Sequence, residues 1–193
     1  MESEKSTRIL DAAAALFARH GFRRTSIDEV AEVAGVGKGT VYLMCDSKAD
    51  LFYQAVHRQL RDWVAAVSRE IDPRVPADEL LARCSGAALM YLEDHPLAKD
   101  LVLGHYFEVL PQWHEELTRL REYGRQNTLD ILKLGVEQGV FREDLDVPAV
   151  AVVLQEMQAA GLILSWRERR PLATQIERGR VALDILLRGL RKP

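Results

Sequence analysis

Apolar residues recur three and four positions apart along most of this chain, which is the spacing of an amphipathic helix. The longest such run extends from Pro111 to Gly139, with Leu117, Leu120 and Leu132 on its apolar side. No stretch alternates apolar and polar residues convincingly, as a half-buried strand does. We therefore predict an all-α fold, with helices over 6–20, 27–34, 38–43, 47–71, 77–94, 97–104, 111–139, 146–166 and 176–190.

Two short helices joined by a tight turn are predicted between Thr25 and Lys48. Ser26 followed by Glu29 is a capping box, in which each side chain accepts a hydrogen bond from a backbone N–H at the helix start. Gly35 provides the left-handed residue that ends this helix, and Gly37 can open the next one. The second helix places Val41 and Cys45 inward and leaves Lys38, Gly39, Tyr42 and Leu43 outward. Such a pair is the helix-turn-helix unit, whose second helix enters the major groove of DNA.

The motif G-V-x-K-G-T-x-Y, followed by a short loop and Ser-Lys, resembles the TetR family of bacterial transcriptional regulators. Its matching residues are Gly35, Val36, Lys38, Gly39, Thr40, Tyr42, Ser47 and Lys48. Met44 and Cys45 depart from the family, which usually has an aromatic residue or His followed by Phe at these positions. The resemblance implies an N-terminal three-helix DNA-binding domain over residues 1–49. A long helix would join it to a helical ligand-binding and dimerisation domain over residues 50–193.

The resemblance also implies three groups of site residues and no catalytic residue, cofactor or metal. Contacts to a double-stranded DNA operator would come from Arg24, Thr25, Ser26, Lys38, Gly39, Thr40, Tyr42, Leu43 and Lys48. A small, largely apolar or aromatic effector would contact Met90, Tyr106, Phe107, Trp113, Tyr123, Asn127, Met157 and Gln158. A homodimer would form through the last two helices, at Val153, Met157, Leu164, Leu183, Leu186 and Leu190. The implied function is ligand-responsive regulation of transcription, as a repressor of a palindromic operator.

Composition changes this picture in two respects. The net charge is −3, and Met1 to Leu60 holds equal numbers of basic and acidic residues, so DNA affinity has to come from a local surface and not from bulk charge. Cys45 and Cys84, without a hydrophobic leader or metal-ligand spacing, indicate a reduced cytoplasmic protein. No apolar run approaches the ~20 residues that cross a bilayer, and we expect no membrane residence.

Other interpretations stay open at this point. The glycines around Lys38 suggest a phosphate-binding loop, but no strand precedes them and the spacing differs from that of such loops. His105, Glu108 and His114 could be metal ligands or acid–base catalysts, although no second ligand motif and no nucleophile motif accompanies them. A pocket among the middle helices would also suit a helical enzyme or a small-molecule carrier. The helix pair would also suit a DNA-binding protein that needs no ligand.

Overall fold

The computed structural model describes residues 4–105 and 113–191, with only the backbone of Trp113. This part of the chain forms nine α-helices and no β-strand, and one isolated β-bridge joins Phe141 to Arg191. The all-α prediction is therefore confirmed. The helices are α1 (Glu4–Arg24), α2 (Ile27–Ala34), α3 (Lys38–Tyr42), α4 (Lys48–Ser68), α5 (Ala77–Asp94), α6 (Pro96–Val102), α7 (Trp113–Glu137), α8 (Val147–Arg167) and α9 (Leu172–Leu190).

Several predicted helix ends differ from the observed ones; the last helix, for example, begins at Leu172 and not at Ile176. Gly21 has φ 76° and ψ 165°, which kinks α1 where we predicted its end, but helical structure resumes and reaches Arg24. The fourth helix stops at Ser68 and does not extend to Ile71. The sixth helix begins at Pro96 and not at Leu97, because proline lacks only an N–H that has no helical partner in the first turn.

The described residues form two compact units. The first consists of those within Met1–Val64 and Leu92–Pro111, and the second of those within Ala65–Tyr91 and Gln112–Pro193. The first unit thus contains α1, α2, α3 and α6 with most of α4. The domain boundary that we predicted between residues 49 and 50 falls near the start of α4.

An aromatic cluster fixes α1 against α4 in the first unit. The Phe17 and Phe52 side chains are fully buried, and their ring centroids lie 4.9 Å apart in an edge-to-face arrangement. Phe22 completes the cluster with its ring centroid 5.3 Å from that of Phe52. Farther along α4, Arg58 forms an ion pair with Asp11 and donates to a backbone carbonyl of α1. These contacts hold α4 in a defined position beside the helix-turn-helix.

The second unit has its own core, built from α5, α7, α8 and α9. Its buried residues include Leu80, Leu132, Leu154 and Leu187, together with Phe141 from the turn after α7. The Phe141 ring lies directly against Gly135, where an added Cβ would come within 2.1 Å of a ring carbon. Only glycine therefore fits at this position of α7.

Helix α8 corrects our expectation about membrane-spanning segments. Among the described residues it is the one helix long and apolar enough to cross a bilayer, by length and composition alone. Core helices of soluble proteins also pass this criterion. The apolar surface of α8 nevertheless requires an explanation, because little of the helix is buried within one chain.

Candidate functional site

Helix α2 is built by local interactions that the sequence predicted. The Ser26 hydroxyl accepts from the Glu29 N–H at 3.2 Å, and Glu29 Oε2 accepts from the Ser26 N–H at 2.8 Å. The carboxylate of Glu29 accepts from the Ser26 N–H and also from the Ser26 hydroxyl at 2.9 Å, and these two bonds, the backbone one first, lower the pKa of Glu29. At the other end Gly35 adopts φ 65° and ψ 40°, and its N–H donates to Glu32 O at 3.1 Å. The capping box and the left-handed terminator are thus confirmed.

Helix α3 is anchored from its inner side. Val41 and Cys45 are buried as predicted, and the Cys45 thiol donates to Val41 O at 3.4 Å. Gln54 of α4 donates from Nε2 to Met44 O at 3.0 Å. Since α4 is itself packed on α1, this bond fixes the end of α3 relative to the core of the first unit.

The outer side of α3 is largely exposed to solvent. Leu43 is 90% exposed and Tyr42 is 49% exposed, while Thr40 is half-buried. Gly39 is exposed, and a Cβ added to it would meet nothing within 4 Å. Glycine inside a helix destabilises a protein by up to about 0.5–1 kcal/mol relative to alanine, so nothing within the fold favours it here. A surface of this kind is suited to close approach by another molecule.

Lys38 of α3 and Lys48 at the start of α4 are both held by neighbouring groups. The Lys38 Nζ lies 2.8 Å from Oδ1 and 2.9 Å from Oδ2 of Asp28, and this pair links α2 to α3. Its hydrogen bond raises the pKa of Lys38. The Lys48 Nζ donates to Arg23 O at 3.3 Å and lies 4.7 Å from the centroid of the Phe22 ring. The two ammonium groups are therefore fixed in position while the chain is free of DNA.

The structure corrects the prediction that Thr25 contacts DNA. Thr25 is only 1% exposed, and its hydroxyl lies within hydrogen-bonding distance of Gly21 O at 3.0 Å and Leu16 O at 3.2 Å. Its side chain therefore joins α1 to the start of α2 and does not reach the surface. Arg24 and Ser26 are exposed, although the Ser26 hydroxyl is already engaged with Glu29.

Comparisons with known proteins agree with this geometry. The family model described as "Bacterial regulatory proteins, tetR family" matches residues 9–55. The fatty acid metabolism regulator protein of Bacillus subtilis (strain 168) is 30% identical over 147 residues, which cover 74% of this chain and 74% of that protein. The chain belongs to the TetR family.

Two further matches extend over almost the whole of this TetR-family chain. The HTH-type transcriptional repressor KstR2 of Rhodococcus jostii (strain RHA1) is 27% identical over 202 residues, covering 100% of this chain and 94% of that protein. The structure of the ketosteroid transcriptional regulator KstR2 of Mycobacterium tuberculosis superposes with a TM-score of 0.65 at 25% identity, covering 100% of this chain and 97% of that one. The TetR-family chain is thus a transcriptional regulator with a helix-turn-helix DNA-binding domain.

Five of the eight residues predicted to bind an effector have described side chains in this TetR-family chain. Met90 and Tyr123 are exposed, and the Tyr123 hydroxyl lies 3.0 Å from Ser68 Oγ. Hydrogen bonds from Ser68 and from Asn127 lower the pKa of Tyr123. Gln158 donates to Ser85 Oγ at 2.8 Å. Tyr106, Phe107 and the side chain of Trp113 lie outside the described residues.

Two open cavities lie among the described residues. One, of about 460 Å³, lies in the first unit between α1, α4 and the start of α6. The other, of about 540 Å³, is a groove along α9 lined by residues that include Val181, Ala182 and Ile185. Neither cavity is lined by the effector residues that we predicted.

On α9 the predicted interface residues pack against the core of their own chain. Leu183 and Leu186 pack against the core of the second unit, and Leu190 is buried within that core. Their apolar stripe faces the interior of the second unit, although Leu183 and Leu186 keep part of their surface exposed. Sequence reasoning instead missed a second stripe, formed by the exposed residues Val181 and Ile185. The i, i+4 spacing of Val181 and Ile185 was its only signal, because periodicity does not tell which of two stripes the core takes.

On α8 the predicted interface residues lie on the surface. Val153, Met157 and Leu164 are all exposed, as is the neighbouring Val152. Since Met157 belongs to this exposed stripe, it stands with the interface group and apart from the effector group. Of the metal candidates, His105 lies 3.3 Å from Asp100, and the described residues contain no group of three possible metal ligands. Glu108 lies outside the described residues.

Proposed function

We propose that this chain is a homodimeric repressor that binds a palindromic operator through α3 and releases it when an apolar, lipid-derived effector binds. The observation that carries the proposal is the outer side of α3. Leu43, Tyr42 and Gly39 are exposed on a helix whose inner side is fixed by burial and by Gln54. Hydroxyl and ammonium donors suit phosphates and base edges, while an exposed leucine suits the thymine methyl group.

The dimer is supported by the apolar surface of α8 and α9. Val153 and Ile185 are each at least half exposed in one chain. A second chain that covers them would remove this apolar surface from water. The same pairing accounts for the apolar character of α8 without a membrane, and we place the protein in the cytoplasm. Two copies also double the number of base pairs read, with half-sites about one helical turn (~34 Å) apart.

The effector class is supported by the relatives. One is named a regulator of fatty acid metabolism and another a ketosteroid regulator. Both names refer to a class of lipid, which agrees with the apolar effector expected from the sequence. We place its binding in the second unit, beside Tyr123, Asn127 and Gln158, whose polar groups are satisfied by one another or by serine hydroxyls. A bound lipid would exchange some of these hydrogen bonds for its own polar group.

The test combines genomic footprinting with effector release. The purified protein is footprinted on genomic DNA from the organism that carries the gene, and each bound promoter is then titrated with fatty acids, acyl-CoA thioesters and steroids. We expect an inverted-repeat site, and an effector that weakens binding by ~5- to 150-fold, the usual range of allosteric coupling.

Three outcomes would count against parts of the proposal. Absence of any sequence-selective site would exclude a regulator. A selective site that no lipid weakens would favour a DNA-binding protein without a lipid effector. Turnover of one of these lipids would favour the enzyme alternative, which the transcriptional regulators among the relatives do not suggest.

A further inference from the structure

The ion pair between Asp28 and Lys38 is unusual for a surface that binds DNA. Phosphates repel a carboxylate, yet Asp28 lies beside the recognition helix with its side chain 66% exposed. Exposed ion pairs contribute only about 0–1 kcal/mol to stability, so the fold gains little from this one. The carboxylate suits the first turn of α2, where the helix dipole favours a negative charge, and its place beside α3 also lets it take part in binding.

The major groove offers groups that a carboxylate can bind. Cytosine presents its N4 amino group there as a donor, and aspartate or glutamate accepts from it. Guanine presents O6 and N7 as acceptors, which suit an ammonium group. Within a G·C pair O6 and N4 are joined by a Watson–Crick hydrogen bond, so they lie about 2.9 Å apart. The Lys38 ammonium and the Asp28 carboxylate offer the complementary donor and acceptor 2.8 Å apart.

We infer that Asp28 and Lys38 read one G·C pair in each half-site as a unit. Lys38 donates to O6 and N7 of the guanine, and Asp28 accepts from N4 of the cytosine on the opposite strand. The inference rests on the proposed function, because it requires α3 to enter the major groove. It adds a residue of α2 to the reading surface and gives its carboxylate a role in binding.

The pair also distinguishes guanine from thymine. A T·A pair offers the acceptor O4 beside the donor N6 as well, but a methyl group and not a second acceptor flanks O4. Two adjacent acceptors for one ammonium favour guanine over thymine. The carboxylate in turn holds the flexible Lys38 side chain in place before DNA arrives, which reduces the entropy lost on binding.

The experiment is selection of binding sites from random double-stranded DNA by the full-length protein and three variants. Asp28→Asn and Lys38→Met each remove one half of the pair. Glu32→Gln is the matched control, since it removes one negative charge from the same helix at another exposed position. Thermal melting by circular dichroism confirms that each variant is folded.

We expect both pair variants to lose discrimination at the same G·C position, by ~5- to 150-fold per half-site. Asp28→Asn should also favour adenine in place of the cytosine that Asp28 contacts, because asparagine binds N6 and N7 of adenine. The Glu32→Gln variant should select the same sequence as the parent.

Four results would overturn the inference. The variants could alter two different positions, or leave the selected sequence unchanged. Asp28→Asn could instead strengthen binding to every sequence alike, which would show that the carboxylate only repels phosphate. A T·A pair at the affected position would contradict the preference for guanine. If the parent protein selects no sequence at all, the proposed function itself fails, and this result is distinct from the other four.

Discussion

The DNA-reading surface on α3 and the apolar surface of α8 and α9 differ in the kinds of side chain that they expose in one chain. The helix-turn-helix buries the apolar side of each of its helices, with Val30 and Val41 fully enclosed. What it exposes on α3 is mixed, an ion-paired lysine and hydroxyl groups beside Leu43. Helix α9 instead buries one apolar stripe and exposes a second, whose Ile185 is 65% exposed.

This difference indicates two kinds of missing partner. A surface with polar donors on an anchored helix is suited to a polar, charged partner such as DNA. A surface with aligned aliphatic side chains is suited to another apolar surface, which a second copy of the same chain can supply. The predictions below test this contrast, from the largest expected effect to the smallest.

Replacing Ile185 with glutamate should produce the largest effect. A charge in the exposed stripe of α9 would be buried without a partner in a dimer, so the variant should be monomeric in light scattering. Its operator affinity should fall by about 100-fold or more, because the second half-site no longer adds to binding. The control is Arg180→Glu, which puts the same side chain about 140° around the helix. A variant that remains dimeric would show that α9 does not form the interface.

Replacing Gly39 with alanine should separate stability from DNA binding. The added methyl group has open space in the free chain and should stabilise it by up to about 0.5–1 kcal/mol. In the complex it should displace α3 from the groove and weaken binding by up to about tenfold, equivalent to one lost hydrogen bond. The control is Gly86→Ala in α5, where a Cβ also has open space. Urea unfolding and a gel-shift titration measure the two effects, and unchanged binding by the Gly39 variant would contradict close approach.

Replacing Thr25 with valine tests the corrected role of this residue. The variant keeps the shape but loses the hydroxyl near Leu16 O and Gly21 O, so the free energy of unfolding should drop by about 1 kcal/mol. Thr25→Ser keeps a hydroxyl and should lose less of that stability. Binding at a temperature where both variants are folded should match the parent, whereas a specific loss of affinity in the valine variant would restore Thr25 to the interface.

The smallest of the expected effects is a difference in reactivity between the two cysteines. Burial raises the pKa of both thiols, and Cys45 is 3% exposed while Cys84 is half-buried. At pH 8 the thiolate of each is therefore depleted, but a reagent reaches Cys84 more easily. Iodoacetamide labelling followed by mass spectrometry should find Cys84 modified first, with the difference abolished in urea. Faster labelling of Cys45 would indicate that α3 opens readily from its core.

The sequence predicted features that depend on near neighbours. The Ser26–Glu29 capping box, the Gly35 terminator and the burial of Val41 each involve residues within a few positions, where spacing alone determines the geometry. Features that depend on distant parts of the chain were missed. Thr25 is buried because α1 supplies its acceptors, and Asp28 meets Lys38 only because the turn folds α3 back on α2.

The choice between the two stripes of α9 also depends on distant parts of the chain. Leu183, Leu186 and Leu190 follow helical spacing as well as Val181 and Ile185 do, and both sets are apolar. Which set faces the core depends on packing against the rest of the second unit. The sequence of α9 alone does not determine it. Here the exposure observed in the folded chain, and not the pattern, distinguishes an interior stripe from a candidate interface.

The most direct test of the central claim is the composition of the operator complex. Native mass spectrometry of the protein bound to its selected DNA site counts the chains on each duplex. We predict two chains on one inverted repeat, and no complex of that composition for the Ile185→Glu variant. A single chain bound to a site without symmetry would contradict the account.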